Sequence, residues 1–443
     1  LSENYFLPDA VEYIDESLFL NVKKDVSYPT WLMSGDVGGI HASVLNLLKG
    51  KIKENYSFDY FLTSMAKQSI FFGLQCYSEP LLLKDSPKDS TKNKNNNYLL
   101  FRFVKQHYRT RWIFILFLNL LLYEKKFVFL SLITSFGYKR RILNEDILDN
   151  IVVQSARKVI DKKTIDVIIP TIGRKNYLYD VLLDLSKQSY LPENVIIIEQ
   201  NPNLNSSSEL DYLYNENWPF KIKHTFTHQA GACNARNLAL AEVTSEWVFL
   251  NDDDNRFESD LIEKTFKNID QYGCLGALTF YPREGQKLVE RKTCQASLFG
   301  SGNSFIKATA LNKVKFNMSL EFGYGEDAEF GLQLREIGFD IIYFPDIVIN
   351  HLSAPMGGFR TKPVLAWKDA IVQPKPSPTI MFVKVNNLTL KQLLGYKTLL
   401  FLKFYKVQNI KNPIKYFFNF RQQWKASLFW AEELKNKSKK KSN

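Results

Sequence analysis

The chain has little cysteine, and none of its apolar runs is long enough to cross a membrane. Its four cysteines show neither a CxxC pattern nor paired spacing, which favours a reducing, cytoplasmic compartment. The first residues show no signal-peptide pattern. The most apolar run starts at Trp112 and ends after twelve residues at Glu124, whereas a membrane-spanning helix needs about 20 residues. We therefore predict two short apolar helices here, either buried or lying at an interface.

Positive charge is in excess and is concentrated at the C-terminal end of the chain. The net charge is +12, and from Lys403 onward there are eleven Lys and Arg but only two Glu. Such a tail can bind an anionic membrane surface or nucleic acid, or it can simply be solvated. Because no nucleic-acid recognition motif accompanies the basic residues, a nucleic-acid partner is not expected.

The pattern of the chain predicts several segments, since 443 residues exceed one compact core. Residues 84–160 contain a polar loop of low complexity followed by apolar and basic helices. In residues 161–355 strand patterns alternate with helix patterns, which predicts a doubly wound α/β domain. Residues 356–443 are a helical arm that mixes aromatic and basic side chains. In a doubly wound sheet the ligand lies beyond the carboxyl ends of the strands.

Three consecutive carboxylates follow the predicted strand WVFLN. Asp252, Asp253 and Asp254 repel one another there, and a divalent cation would relieve the repulsion. Hard oxygen ligands suit Mg²⁺ or Mn²⁺, and such an ion would hold a diphosphate in turn. The alternative is a polar turn with a helix N-cap at Asp254 or Asn255.

Further polar side chains lie at the ends of other predicted elements. Glu326 and Asp327 stand at a helix start, where the helix dipole favours negative charge, and the alternative is an ordinary charged first turn. Arg236 follows a loop-to-helix start that suits a phosphate or ribose, or it is a surface arginine. His351 closes the last predicted strand and is either a metal ligand or a structural histidine.

Taken in order, these pieces resemble the family 2 glycosyltransferases of the GT-A fold. IDVIIPTIGR resembles the opening strand and nucleotide-binding loop of that family. GACNARNLALAEVTSEWVFLNDDDNRF resembles its Arg-Asn helix and DxD-type metal motif, and GSGNSFIKATAL with FGYGEDAEF resembles its acceptor-side loop and ED motif. The resemblance covers about residues 162–355. It implies a GT-A fold with a doubly wound mixed sheet, a nucleotide-sugar donor and a glycan acceptor.

The resemblance also implies a role for each matching residue. Asp327 would be the general base, and Glu326 would support it or contact the acceptor. A Mn²⁺ or Mg²⁺ ion would be held by Asp254, Asp252 and His351. The residues that would line the nucleotide-sugar pocket come from several motifs: Pro170, Thr171, Arg174, Glu199, Arg236, Asp252 and Asp253.

The sequence departs from the family pattern in two places. Glu199, Gln200 and Asn201 stand where the family often has a pair of aspartates, which leaves the nucleotide base open. Asn251 stands where its metal motif often begins, so the metal-binding carboxylates are open to a shift of one position. Glycosyl transfer needs a charge-stabilised leaving group and a base. Since the residues offer one base and no second nucleophile, we expect an inverting reaction by direct displacement.

The expected function is sugar transfer in the synthesis of a cell-surface polysaccharide. The acceptor would be a glycan or a lipid-linked glycan, presented at the inner face of a membrane that the C-terminal arm contacts. The alternative is a catalytically degenerate GT-A scaffold or a glycan-binding protein. A nucleotidyltransferase is disfavoured because PTIGRKN has a single glycine.

The first eighty residues faintly repeat the second half of the predicted enzyme domain. SGDVGGIHASVLNLLK parallels SGNSFIKATALNKVK, and YSFD parallels YGED. Gly35 and Asp59 are 24 positions apart, and Gly302 and Asp327 are 25 positions apart. We infer that residues 1–83 are the acceptor half of another GT-A-like domain, with chance similarity as the alternative. On this inference the native polypeptide is longer, or the half survives as a scaffold.

Overall fold

The chain forms two compact units, each assembled from two stretches of sequence. Unit 1 comprises Leu1–Val152 and Val372–Phe429, and unit 2 comprises Val153–Ile371 and Trp430–Asn443. Most of the predicted C-terminal arm therefore belongs to unit 1. The computed structural model describes residues 7–51, 57–83, 96–283, 285–286, 288, 291–354 and 364–442, with side chains up to residue 437.

The described residues contain α-helices, short 3-10 helices and strands. The α-helices are α1 (Ala42–Leu48), α2 (Phe58–Ser69), α3 (Asn97–His107), α4 (Arg111–Glu124), α5 (Phe129–Ser135), α6 (Lys175–Ser186), α7 (Tyr212–Asn215), α8 (Ala232–Ala241), α9 (Leu261–Tyr272), α10 (Glu326–Glu336), α11 (Pro378–Asn387), α12 (Leu390–Val407) and α13 (Pro413–Ser442). The 3-10 helices are Asp9–Tyr13, Leu18–Leu20, Ile70–Phe72, Pro80–Leu82, Ala308–Asn312 and Met318–Leu320. The strands are β1 (Tyr28–Pro29), β2 (Tyr77–Ser78), β3 (Ile165–Thr171), β4 (Asn194–Gln200), β5 (Lys221–Thr227), β6 (Trp247–Asn251), β7 (Asn255–Phe257), β8 (Gly276–Phe280), β9 (Cys294–Gln295), β10 (Asn303–Lys307) and β11 (Ile341–His351).

Unit 1 is mainly helical. Its helices α4 and α5 confirm the two short apolar helices predicted from the sequence. Across the part of the chain that the structure describes, every helix is too short or too polar to cross a membrane. In α12, Gly395 lies against the backbone of Tyr13, and a Cβ at that position would stand 2.1 Å from the Tyr13 carbonyl oxygen. Only glycine allows this close approach between helix and chain.

A local arrangement in unit 1 has a counterpart within unit 2. Strands β1 and β2 pair antiparallel, as do β9 and β11. The backbone N–H of Gly35 donates to Asp59 in the first turn of α2, and the Ser301 hydroxyl donates to Asp327 in the first turn of α10. Residues 52–56, which include the tyrosine of the YSFD motif, lie outside the described residues. The inferred repeat of residues 1–83 remains a prediction.

Unit 2 contains a mixed sheet, which confirms the predicted α/β fold. Its strand order is β5-β4-β3-β6-β10-β8-β11-β7, and β9 pairs with β11 beside this path. Strands β3, β4, β5 and β6 form parallel pairs. Strand β10 is antiparallel to both β6 and β8, which makes the sheet mixed. Strand β11 is parallel to β8 and antiparallel to β7.

The sequence of the parallel strands explains their central position. All seven residues of β4 and all five of β6 are buried, as expected for strands covered on both faces. Because β3 lies between β4 and β6, the carboxyl ends of these strands meet at one edge of the sheet. The residues at that edge are Thr171, Gln200 and Asn251.

Candidate active site

The three aspartates form a buried turn between two strands. Strand β6 ends at Asn251 and β7 begins at Asn255, so the helix N-cap considered for Asp254 or Asn255 is wrong. Asp253 is 4% exposed and Asp254 is 2% exposed. Carboxylates this deeply buried need partners that offset the loss of hydration.

The end of β3 and the residues after it supply partners for two of these carboxylates. The Thr171 hydroxyl donates to Asp253 Oδ2 over 2.7 Å. Arg174 places Nη1 2.7 Å from Asp253 Oδ1 and 2.8 Å from Asp254 Oδ2. One guanidinium therefore compensates two carboxylates, and the predicted nucleotide-binding loop is fixed to the predicted metal motif.

Asp254 also lies beside the end of β11. Its Oδ1 is 3.4 Å from His351 Nε2, and its Oδ2 accepts the backbone N–H of Ala354 over 3.0 Å. Burial acts to raise the pKa of Asp254, but His351, the Ala354 amide and Arg174 together hold it below its ordinary value. The ring of His351 stacks on Tyr281 with 4.8 Å between centroids.

The third aspartate is held by different partners. Asp252 Oδ1 accepts from Arg236 Nη2 over 3.0 Å, and its Oδ2 lies 3.0 Å from the Tyr281 hydroxyl. Gly302 lies directly against this carboxylate, because a Cβ added there would stand 2.2 Å from Asp252 Oδ2. A larger residue at Gly302 would have to displace the aspartate.

Asp327 and Glu326 begin α10, as predicted. The Ser301 hydroxyl donates to Asp327 Oδ1 over 2.5 Å. Burial raises the pKa of Asp327, and the charge of Asp252 acts in the same direction, while Arg236 and Ser301 oppose it. Burial also raises the pKa of Glu326, helped by the adjacent charge of Asp327.

Two consecutive residues bring the acidic groups together. Ser301 donates to Asp327, and its neighbour Gly302 lies against Asp252. Arg236 bonds to Asp252 and also interacts electrostatically with Asp327 and Glu326. The two carboxylate clusters, about 75 residues apart in the chain, therefore share one site around Arg236.

The metal-ligand set predicted from the sequence is only partly assembled. Asp254 and His351 offer an oxygen and a nitrogen 3.4 Å apart, close to the roughly 3 Å between neighbouring ligands of an octahedral ion with bonds of about 2.1 Å. No residue in the described part of the chain hydrogen-bonds to the buried Nδ1 of His351. Among the described residues there is no group of three or more His, Cys, Asp and Glu that could hold a metal. Asp252 is thus not a third member in this arrangement, because Arg236 and Tyr281 hold its carboxylate.

A pair of protein ligands nevertheless suits a magnesium-like ion. Such ions are commonly held by one or two protein side chains together with the phosphates of a substrate. Asp254 and His351 therefore fit two positions, and a diphosphate would fill others.

The family comparison agrees with this geometry. Residues 166–325 match the family model described as Glycosyl transferase family 2. This segment is a family 2 glycosyltransferase domain. The matched range includes all three aspartates of the β6–β7 turn and ends just before Glu326 and Asp327.

Proteins similar to the family 2 domain match only part of the chain. An uncharacterized glycosyltransferase of Rickettsia conorii is 25% identical over 150 residues, which are 34% of this chain and 24% of the relative. The S. aureus TarS structure is 18% identical with a TM-score of 0.38, covering 53% of this chain and 42% of TarS. The mannosyltransferase PcManGT from Pyrobaculum calidifontis in complex with GDP-Man and Mn²⁺ is 13% identical with a TM-score of 0.36, covering 64% of this chain and 77% of PcManGT. The chain thus spans about a quarter of the R. conorii relative and less than half of TarS.

The helix start near Arg236 in the family 2 domain already has an anionic partner. Glu321 accepts the backbone N–H groups of Cys233 and Asn234 over 3.0 and 2.8 Å. Gly231 makes room for it, because a Cβ there would stand 2.3 Å from Glu321 Cδ. The amino terminus of α8, which the sequence suggested for a phosphate, is thus capped by a carboxylate of the same domain.

The remaining predicted nucleotide-binding residues lie at the edge formed by β3 and β4. Pro170 and Thr171 end β3, and Glu199 is the register partner of Thr171 on β4. Glu199 accepts the backbone N–H of Glu209 over 3.1 Å, and its Oε2 lies 3.0 Å from His224 Nε2. Burial acts to raise the pKa of Glu199, but these hydrogen bonds hold it below its ordinary value.

Sequence reasoning missed several residues of this site. Ser301 and Gly302 belong to the GSGNSF motif, but the motif predicted no individual role for either residue. Tyr281 and Glu321 reach their partners across 29 and 87 or 88 positions of the chain. Contacts at such separations leave no local pattern that would have revealed them.

Proposed function

We propose that the family 2 domain transfers a sugar from a nucleotide-diphosphate sugar to an acceptor glycan hydroxyl, with inversion at the sugar carbon. One observation carries the proposal. Ser301 holds Asp327 while the next residue, Gly302, lies against Asp252. A candidate base and the carboxylates of the donor side therefore stand on either side of one short loop segment.

The donor side is the edge formed by β3, β4 and β6. Asp254 and His351 would hold Mn²⁺ or Mg²⁺, which when bound would stabilise the charge of the diphosphate leaving group. PcManGT, a similar structure, is a complex with GDP-Man and Mn²⁺. Thr171 and Arg174 hold Asp253 beside this position. Pro170 and Glu199 extend the same edge toward the nucleoside.

The acceptor side is the start of α10. Asp327 would take the proton of the attacking hydroxyl, and the Ser301 hydrogen bond fixes the orientation of its carboxylate. The raised pKa of Asp327 makes it a stronger base than an exposed aspartate. The charge of Arg236 acts to lower the pKa values of Asp327 and Glu326 against the effect of their burial, and Arg236 also orients Asp252.

The proposed inversion follows from the number of carboxylates that are available to react with the sugar or the acceptor. A retaining double displacement needs a second carboxylate as nucleophile, close to the sugar carbon. In this proposal Asp252, Asp253 and Asp254 are paired with arginines. Glu326 supports the base or contacts the acceptor, which leaves Asp327 as the reacting carboxylate. A single base on the face away from the leaving group gives direct displacement.

The wider role that we propose is synthesis of a cell-surface polysaccharide on the cytoplasmic face of a membrane. The acceptor would be a glycan or a lipid-linked glycan, and the basic C-terminal arm would contact anionic headgroups. The four cysteines, all of them among the described residues, are buried and form no disulfide with one another, as suits a reducing compartment. On α13, Tyr416 and Trp424 are buried, whereas Phe417, Phe418 and Phe429 are 50%, 55% and 59% exposed. Both the exposed aromatic and the basic side chains of the arm are therefore its candidate contacts.

A second candidate function is a scaffold that binds glycan without transferring sugar. The ion pairs of Arg174 with Asp253 and Asp254 favour it, because a compensated carboxylate pair has less need of a cation. A thermal-shift screen of UDP-, GDP- and dTDP-sugars with Mn²⁺, followed by an assay of donor hydrolysis, separates the two functions. Transfer activity requires a metal-dependent shift and hydrolysis with at least one donor. A scaffold shows neither.

A further inference from the structure

An exposed apolar surface spans α4, α5 and the turn between them in unit 1. Seven of its large side chains are each at least 45% exposed: Phe114, Leu122, Phe127, Phe129, Leu130, Ile133 and Phe136. Phe127 and Leu130 are the most exposed, at 73% and 66%. We call these seven residues the aromatic face.

Ring contacts show that the members of this face lie together. Phe114 of α4 lies 5.9 Å from Phe136, just beyond α5, measured between ring centroids. Phe127 and Phe129 stack at 5.8 Å, and Phe117 of α4 contacts both rings. Phe114 and Phe117 lie three positions apart on α4, so the two groups of rings lie along one side of that helix.

Packing among the described residues of unit 1 does not account for these exposed side chains. The buried side of α4 is already formed by Ile113, Leu116 and Leu120. A surface helix normally pairs one apolar side with a polar opposite side. Here the opposite side is apolar as well, which is expected only when another apolar medium or partner covers it.

The charge around the face is strongly positive. Between residues 109 and 141 the sequence has seven Lys and Arg and one acidic residue, Glu124, a net charge of 7 − 1 = +6. Glu124 is paired with Lys126 over 2.7 Å and with Lys391 over 3.4 Å. Lys139 and Arg140 are exposed, so the patch presents positive charge beside its apolar side chains.

A groove adjoins the face. Its volume is about 690 Å³, and its lining includes Tyr98 from α3 together with Phe127, Phe129 and Leu130. Asn96 and Asn97 line the same groove. It therefore combines apolar walls with polar groups, a combination that suits part of a lipid molecule.

We propose that the aromatic face inserts into the surface of a bilayer containing anionic lipid. Aromatic and leucine side chains beside lysines and arginines are the chemistry by which a peripheral protein binds such a surface. This contact is distinct from the basic C-terminal arm, and it does not depend on sugar transfer. It would hold unit 1 on the membrane where a lipid-linked acceptor is presented.

Co-sedimentation with vesicles tests the proposal on the full chain. Wild type binds vesicles of phosphatidylcholine mixed with phosphatidylglycerol, and binds vesicles of phosphatidylcholine alone more weakly. The double variant Phe127→Ser and Leu130→Ser lowers the partition coefficient for mixed vesicles about tenfold or more, because two apolar side chains no longer enter the bilayer. The double variant Lys139→Glu and Arg140→Glu weakens binding to mixed vesicles and leaves binding to phosphatidylcholine little changed.

A matched control replaces exposed apolar residues elsewhere. Val152 and Leu204 are 83% and 78% exposed and lie outside the face, so Val152→Ser with Leu204→Ser keeps wild-type binding. Melting temperature confirms that each variant is folded. A triple variant, Lys439→Gln with Lys440→Gln and Lys441→Gln, tests whether the basic tail binds the vesicles in place of the aromatic face.

Two results overturn the proposal. One is vesicle binding that the tail variant abolishes and the Phe127 and Leu130 variant leaves intact. The other is that wild type does not bind vesicles but forms a dimer, and that the Phe127 and Leu130 variant dissociates this dimer. The face would then join two copies of the chain.

Discussion

Asp327 is the proposed general base, and its substitution should change both the transfer rate and the stability of the protein. We expect Asp327→Asn to lower the transfer rate by about 10²–10⁴ while nucleotide binding persists, because the amide cannot take a proton. The folded state raises the pKa of Asp327 above its unfolded value, so at neutral pH its charge disfavours folding. The melting temperature of Asp327→Asn should therefore equal or exceed that of wild type. A wild-type transfer rate would contradict the base assignment.

The same shift predicts how the reaction depends on pH. Because the base must be ionised, kcat/KM should reach its maximum above the raised pKa of Asp327. It should fall as the pH drops below that pKa. Ser301 donates to the carboxylate and lowers that pKa. Ser301→Ala should therefore move the acid limb of the pH profile to higher pH. An unchanged limb, or one displaced to lower pH, would show that another group controls it.

Gly302 provides a steric test of the donor side. A Cβ there would stand 2.2 Å from Asp252 Oδ2 and 2.7 Å from the Tyr281 hydroxyl. Gly302→Ala should displace Asp252 from Arg236 and weaken nucleotide binding about tenfold, since a hydrogen bond to a charged group is worth about 1.5–3 kcal/mol. Gly39 has no heavy atom within 4 Å of an added Cβ, so Gly39→Ala is the matched control in calorimetric titration. Equal losses in both variants would exclude a specific role for Gly302.

At the residue scale the sequence predicted which elements carry the candidate side chains better than how those side chains pair. The run of three aspartates after a buried strand was visible as a pattern. The bond from Arg174 to Asp253 joins residues 79 positions apart, and the bond from Ser301 to Asp327 joins residues 26 positions apart. Such pairings depend on the order of strands in the sheet, which the pattern of one chain does not contain.

At the scale of elements, we predict that the carboxylate capping α8 contributes to the stability of the protein. Glu321 accepts two backbone N–H groups at the amino terminus of the helix. Glu321→Ala removes both bonds and should lower the free energy of unfolding by about 0.5–2 kcal/mol. Glu321→Gln keeps a carbonyl acceptor and should lose less. Urea denaturation measures both, and an alanine variant as stable as wild type would contradict the capping role.

The elements that the sequence missed are short or depend on distant partners. Strands β7, β9 and β10 have two to five residues and pair with β11 or with β6 and β8. In residues 84–160 the pattern predicts helices after the polar loop, yet the last α-helix of that range, α5, ends at Ser135. Leu143, Ile147 and Leu148 are buried without a helix, in one cluster with α1 and α2. Their apolar spacing reflects that packing.

At the scale of the whole molecule, the division into two units could not be read from the sequence. Lys384 pairs with Glu16 over 2.6 Å, and Gln392 donates to the Asp15 carbonyl, so that residues after 371 return to the N-terminal unit. These partners are more than 360 positions apart. Local composition described the C-terminal arm as one segment, whereas contacts assign Val372–Phe429 to unit 1 and the remainder to unit 2.

The central claim is that Asp254 and Asp327 serve one site with separate tasks, one in donor binding and the other in proton removal. Isothermal titration of wild type, Asp254→Ala and Asp327→Asn with UDP, GDP and dTDP in the presence of Mn²⁺ tests it most directly. We predict that one nucleotide binds wild type and Asp327→Asn with equal affinity and does not bind Asp254→Ala measurably. Equal binding by Asp254→Ala, or no binding of any nucleotide to wild type, would contradict the account.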